Sequence, residues 1–196
     1  MDKVKEMYNQ LLEFIESFLV KYQYENRGLL KKFKIDSRLN LEIDDERWFE
    51  LFLYKSCFNH CAKFILLRYM EDHYLTNKKL NEKGIEKWRN FVTNISSDYK
   101  ILYEVALRDI QAEPDEKIKE IFKDSDYDIF GIDNELASIL IKNFSDIPFD
   151  GVDKKDLIQL FRLIYPLEQR EEMQLEHFYK KAPALSYILA LETNTL

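Results

Sequence analysis

The chain has 196 residues, a formal net charge of −7, and only four glycines and four prolines, with 46% of its residues hydrophobic and 33% charged. That length suits one domain with a sizeable core, the apolar content excludes a disordered chain, and so few turn residues exclude a sheet or barrel, which needs them about every ten positions. No apolar run reaches the ~20 residues of a membrane span, and charged residues rather than a signal sequence follow Met1, so a cytoplasmic protein is expected.

Val4, Met7, Leu11, Leu12, Ile15, Phe18, Leu19 and Tyr22 recur at helical spacing and predict an amphipathic first helix ending near Tyr24. Arg27, Lys31, Lys32, Lys34 and Arg38 then form a basic stretch, read as part of a loop over residues 25–45, before Asp44 or Asp45 caps a helix reaching about Tyr74. Gly84 separates that helix from a segment carrying Trp88 and Phe91, and Ser96 or Ser97 caps a helix with Tyr99, Leu102, Tyr103, Ala106 and Ile110. Pro114 marks the next start, and residues 124–132 form an acidic loop around Gly131. Asp133 caps a helix to about Asn143, Pro148 to Gly151 break the chain, and Asp153 begins a helix that Pro166 stops or kinks. Pro183 sits in the first turn of a last short helix.

The pattern predicts an all-α fold, an irregular bundle of about seven helices in one domain over residues 1–196, with possible lobes at 1–112 and 113–196 and no internal repeat. The stretches 25–45 and 123–132 are the expected functional surfaces.

Charge is uneven along the chain. Residues 1–100 hold 18 Lys and Arg against 16 Asp and Glu, whereas residues 101–196 hold 11 against 20. An acidic second half argues against a free-standing nucleic-acid binder, although the basic stretch from Arg27 to Arg38 could follow a phosphate backbone without reading its sequence.

Cys57, His60 and Cys61 lie within one helical turn, a spacing open to a metal, but a zinc site wants four ligands and His73 and His177 are the only other histidines. Buried thiols on a helix face are the simpler reading, and no disulfide is implied. Asp124, Asp126, Asp128 and Glu135 fall at positions one, three, five and twelve of a calcium-loop pattern, yet Ile129 stands at the sixth, where that loop turns on glycine. Pro114, Asp115, Glu116 and Lys119 have the composition of a metal-dependent nuclease but open a helix, where acids favour the dipole. The sequence holds no phosphate loop, no glycine-rich dinucleotide turn and no nucleophile elbow.

Two stretches resemble a known family. KFILLRYMED, Lys63 to Asp72, is similar to a helix in the N-terminal helical region of adenine-specific DNA methyltransferases of type I and single-chain type II restriction-modification systems. YPLEQREEMQLEHFYKKAPALSYILALE, Tyr165 to Glu192, resembles that family's passage into its methyltransferase domain, and FSDIPFDGVDKKDLIQLF, Phe144 to Phe161, resembles the lead-in. Leu175 stands where the family has glycine, and Lys180 and Lys181 stand where it has Thr-Pro, while Phe178 and Tyr179 are retained.

The resemblance implies an accessory domain of a restriction-modification or related phage-defence enzyme. It would scaffold a methyltransferase domain, in cis or in trans, and help to clamp DNA. Phe178 and Tyr179 would be a degenerate cofactor edge, with S-adenosylmethionine the cofactor of the parent enzyme and none held by this chain. Lys31, Lys32, Lys34 and Arg38 are the expected DNA contacts. No catalytic residue is expected, because the chain ends at Leu196 before a glycine-rich cofactor motif or an Asn-Pro-Pro-Tyr motif, and no metal ligand is expected, because the Cys/His and acidic clusters are incomplete as ligand sets. A stand-alone acidic module that mimics DNA and occupies a partner's cleft is the alternative. A nuclease using the acidic loop is the enzymatic rival.

Overall fold

The computed structural model describes residues 3–37, 43–73, 76–92, 94–95, 97–165 and 178–193. Among them are nine α-helices, one 3-10 turn and no strand, so the all-α class holds with more helices than the seven expected. None of these helices is long and apolar enough to cross a membrane.

Helix α1, Lys3–Tyr22, buries Val4, Met7, Leu11, Phe14, Phe18 and Tyr22, the i, i+3, i+4 stripe read from sequence. The basic stretch that follows is not a loop but a helix, α2, Arg27–Ser37. Leu30 and Lys34, one turn apart, face inward, and the lysine in an apolar position hides the helical period. Asn26 enters α2 with φ 57°, a left-handed turn that asparagine tolerates.

Helix α3, Asp45–Asp72, is the axis of the bundle. Asp44 caps it by accepting from the Arg47 amide at 2.9 Å. It is buried on nearly every face, as expected of a helix surrounded by others. Helices α1, α2, α5 and the last helix pack around it, together with the 3-10 turn.

Asn81 caps α4, Glu82–Phe91, by accepting from the Gly84 amide at 2.9 Å. Gly84 therefore lies inside this helix instead of separating two. A Cβ there would stand 2.4 Å from the Lys79 backbone, so only glycine admits the close approach. Asp98, not a serine, caps α5, Tyr99–Gln111; Ser96 lies outside the described residues. Asp115 caps α6, Glu116–Phe122, and Asp133 caps α7, Asn134–Phe144. Asp153 caps α8, Lys154–Ile164, with Asp156 returning a bond to its amide at 2.9 Å. Pro166 lies outside the described residues.

The last helix, α9, is Pro183–Thr193. Its Ala184 and Leu185 amides donate to Asn59 Oδ1 on α3, at 3.1 and 3.2 Å, which fixes the start of α9 against the central helix. One apolar core runs from Val4 to Ile188, and α1 reaches α7 and α8 across it.

Candidate functional site

The residues Phe178 to Lys181 form the turn that leads into α9. Tyr179 has φ 62°, a left-handed conformation that costs a non-glycine residue roughly 1–3 kcal/mol and persists only where surrounding contacts impose it. Those contacts come from three elements. The Tyr179 ring stacks on Phe33 of α2, with centroids 5.0 Å apart, and meets Trp48 and Phe52 of α3 edge-on at 5.9 and 5.5 Å. Its hydroxyl donates to Asp126 at 2.7 Å, and the neighbouring Lys180 ammonium reaches the same oxygen at 2.7 Å.

From the 3-10 turn, Asp126–Ile129, the Tyr127 hydroxyl donates to the Lys180 carbonyl at 2.7 Å. From α3, the Lys55 ammonium donates to the Phe178 and Lys180 carbonyls, each at 3.3 Å, and lies over the rings of Tyr127 and Phe178 at 5.3 and 5.8 Å. Among the described residues no carboxylate pairs with Lys55, and burial lowers its pKa to about 8. Burial raises the Asp126 carboxyl, but bonds from Lys180 and Tyr179 outweigh this and leave it below its usual range. Burial, and then Asp126, push the Tyr179 phenol up.

Beside the turn lies a cleft of about 880 Å³ between α6 and the start of α9. Ile121, Pro183 and Tyr187 give it apolar walls, Ser125 a hydroxyl, and Asp126 and Lys180 lie where it meets the turn. Its size is that of a small-molecule pocket.

The basic helix sits on the far side of the Tyr179 ring. Lys34 is 9% exposed, donates to the Ile43 carbonyl and pairs with Asp45 at 2.8 Å. It tethers α2 to the start of α3, so its ammonium is committed inside the protein. Lys31 is exposed, 3.6 Å from Asp45, and Lys32 is exposed on the same outer surface. Arg38 lies outside the described residues. Thus Phe178 and Tyr179 are brought together with α2, while the basic residues divide between tether and surface.

The other candidate clusters are dispersed into structural roles. Cys57 and Cys61 are free and buried, and burial, followed by a bond with Cys61, pushes the Cys57 thiol up, away from reactive thiolate. His60 Nε2–H donates to the Phe130 carbonyl at 2.8 Å, and burial lowers its pKa to about 4, so it is a neutral core residue. His73 donates to the Tyr69 carbonyl at 2.8 Å, and His177 lies outside the described residues.

The acids of the calcium-like stretch point to different partners. Asp126 serves the turn, Asp128 pairs with Lys63 at 2.6 Å, and Asp133 caps α7 while pairing with Lys21 at 2.5 Å. Asp115 caps α6, and Glu116 pairs with Lys119 at 2.7 Å, as helix-opening acids do. Among the described residues no group of three or more His, Cys, Asp or Glu could hold a metal ion.

Sequence reasoning missed Phe33, Lys55, Asn59 and Tyr127, which hold the turn and α9. Lys55 and Asn59 were visible as polar residues within the apolar α3 stretch Leu51–Cys61, a signal of buried polar work. The comparisons supply no relative: no family model, curated protein or solved structure matches this chain.

Proposed function

We propose that the chain is the helical accessory domain of an adenine-specific DNA methyltransferase of a restriction-modification or phage-defence system. It seats a catalytic domain and helps to clamp DNA, and it does not transfer methyl groups by itself. The observation that carries this reading is the seat of Phe178 and Tyr179. These are the residues kept from the family's cofactor-edge motif, and α3, the helix that bears the other resembling stretch, holds them through Trp48, Phe52 and Lys55. A non-glycine residue held at φ 62° beside a cleft is the kind of constraint found at binding edges.

In this reading the cleft beside the turn faces the catalytic domain, and S-adenosylmethionine belongs to that domain. DNA phosphate falls to Lys31 and Lys32 on the outer surface of α2, with Arg38 completing the basic stretch and Lys34 holding the helix in place. The rival, an acidic module that binds a basic protein, is favoured by the side chains of Glu116 and Glu120, which are 82% and 69% exposed at the cleft rim.

Combining the chain with an adenine-specific catalytic domain stripped of its own helical region tests the assignment. Raised methyl incorporation into duplex DNA on adding the chain supports it. No gain, and no association of the two proteins by gel filtration, contradicts it.

A further inference from the structure

Among the described residues, helix α2 meets the turn through the Phe33–Tyr179 ring pair, and the Asp36 carboxylate also acts on the Tyr179 phenol. The Phe33 ring lies against Tyr179 at 5.0 Å and against Phe52 at 5.8 Å, so it is wedged between the central helix and the left-handed residue. Elsewhere α2 is fastened to α3 by buried Leu30 and by the Lys34–Asp45 pair, while its outer surface, including Leu29, Lys31, Lys32 and Ile35, is exposed. Any change in the seating of α2 on α3 therefore moves Phe33 relative to Tyr179.

The left-handed conformation of Tyr179 is strained for an L residue, for which the relaxed alternative is extended. The left-handed state is the one in which the ring stack and the hydroxyl bond to Asp126 coexist. Asp126 and Lys180, joined at 2.7 Å, also line the cleft, so the state of Tyr179 decides the shape of its inner end.

We propose that α2 sets the conformation of the Phe178–Lys180 turn through the Phe33–Tyr179 stack, so that a nucleic-acid backbone bound on α2 tightens the turn and the cleft behind it. This coupling rests on the reading of α2 as the DNA surface. Tyr179 and Phe33 are positioning residues here: they fix the edge against which the catalytic domain closes. A bound backbone restrains α2 on α3, the restrained Phe33 ring favours the stacked state, and the turn samples its relaxed state less often.

Residue-resolved amide exchange of the whole chain by NMR tests this. In Phe33→Leu, which keeps an apolar side chain but removes the stack, exchange of the Ala184 and Leu185 amides, which donate to Asn59, is expected to speed about tenfold while α7 amides stay unchanged. Ile35→Ala, on the outer surface of α2, is expected to leave both unchanged. Equal exchange of the Ala184 and Leu185 amides in Phe33→Leu and wild type overturns the proposal.

Adding a short blunt DNA duplex at low salt to the wild type gives a second arm that does not depend on the variant folding. Shifted α2 resonances with slowed exchange at Ala184 and Leu185 support the coupling, and shifted α2 resonances with unchanged exchange there overturn it. A duplex that leaves α2 itself unshifted removes DNA as the input and overturns the reading of α2. The Phe33→Leu comparison then decides whether α2 and the turn are coupled at all.

Discussion

Arg68 and Glu71 form an ion pair closed to solvent, with Nη1 2.9 Å from Oε2 and side chains 1% and 0% exposed. The same guanidinium reaches Asp72 and the Ile147 carbonyl, each at 3.2 Å. Glu71 accepts the Lys79 and Leu80 amides at 2.9 and 3.1 Å, and Asp72 accepts the Phe149 amide at 3.0 Å. The charged residues that close α3 thus pin the loop that follows it, at Lys79 and Leu80, and the distant Ile147–Phe149 loop to the end of that helix, and their role is structural.

Removing Arg68 leaves Glu71 without its cation in a buried site and Asp72 with only Lys78, 3.5 Å away. Arg68→Ala is expected to lower stability by about 3–5 kcal/mol, read as a reduced urea midpoint with an unchanged slope. A loss under about 1 kcal/mol would show that the pair is not closed to water.

Two glycines give opposite expectations. Gly84→Ala places a Cβ 2.4 Å from backbone atoms of Lys79 and is expected to cost about 1–3 kcal/mol. Gly28→Ala meets nothing within 4 Å and lies in α2, so a gain of about 0.5–1 kcal/mol is expected from helix propensity and a stiffer unfolded chain. Thermal unfolding of the two variants checks both signs, and a loss at Gly28→Ala would contradict the helical assignment of the basic stretch.

His60 links stability to pH. Its pKa is about 4 in the fold against 6.5 when solvated, because burial disfavours the imidazolium. Well above pH 6.5 both states are neutral and the fold keeps its full stability. As pH falls from 6.5 towards 4 the unfolded chain binds a proton that the folded chain does not, and stability drops by up to roughly 3 kcal/mol. His60→Gln should flatten that slope, and urea midpoints at pH 7, 6, 5 and 4.5 measure it. Parallel curves for variant and wild type would contradict a buried neutral His60.

Much of the fold was legible because the polar signals were local. Asp44, Asp133 and Asp153 cap helices where their positions ahead of apolar periodicity placed them, and the α1 stripe is continuous. Helix α2 was not legible, because Gly28 and the inward Lys34 break the pattern that marks a helix face. Gly84 read as punctuation since its reason, the close approach of the preceding Lys79 backbone as the chain turns into α4, depends on the path of the backbone and carries no residue-type signal. The site was half legible: Phe178 and Tyr179 stood out by resemblance, but their partners Phe33, Lys55 and Tyr127 are remote in sequence and carry no local signature.

The most direct measurement of the central claim is the binding of a fluorescently labelled DNA duplex by the whole chain across a salt series. Affinity is expected to fall as salt rises, and a Lys31→Ala, Lys32→Ala double variant is expected to bind more weakly with a log–log salt slope smaller by about two. A chain that binds no duplex at any salt concentration, yet binds a basic protein in a salt-dependent manner, would contradict it and favour the acidic partner-binding module.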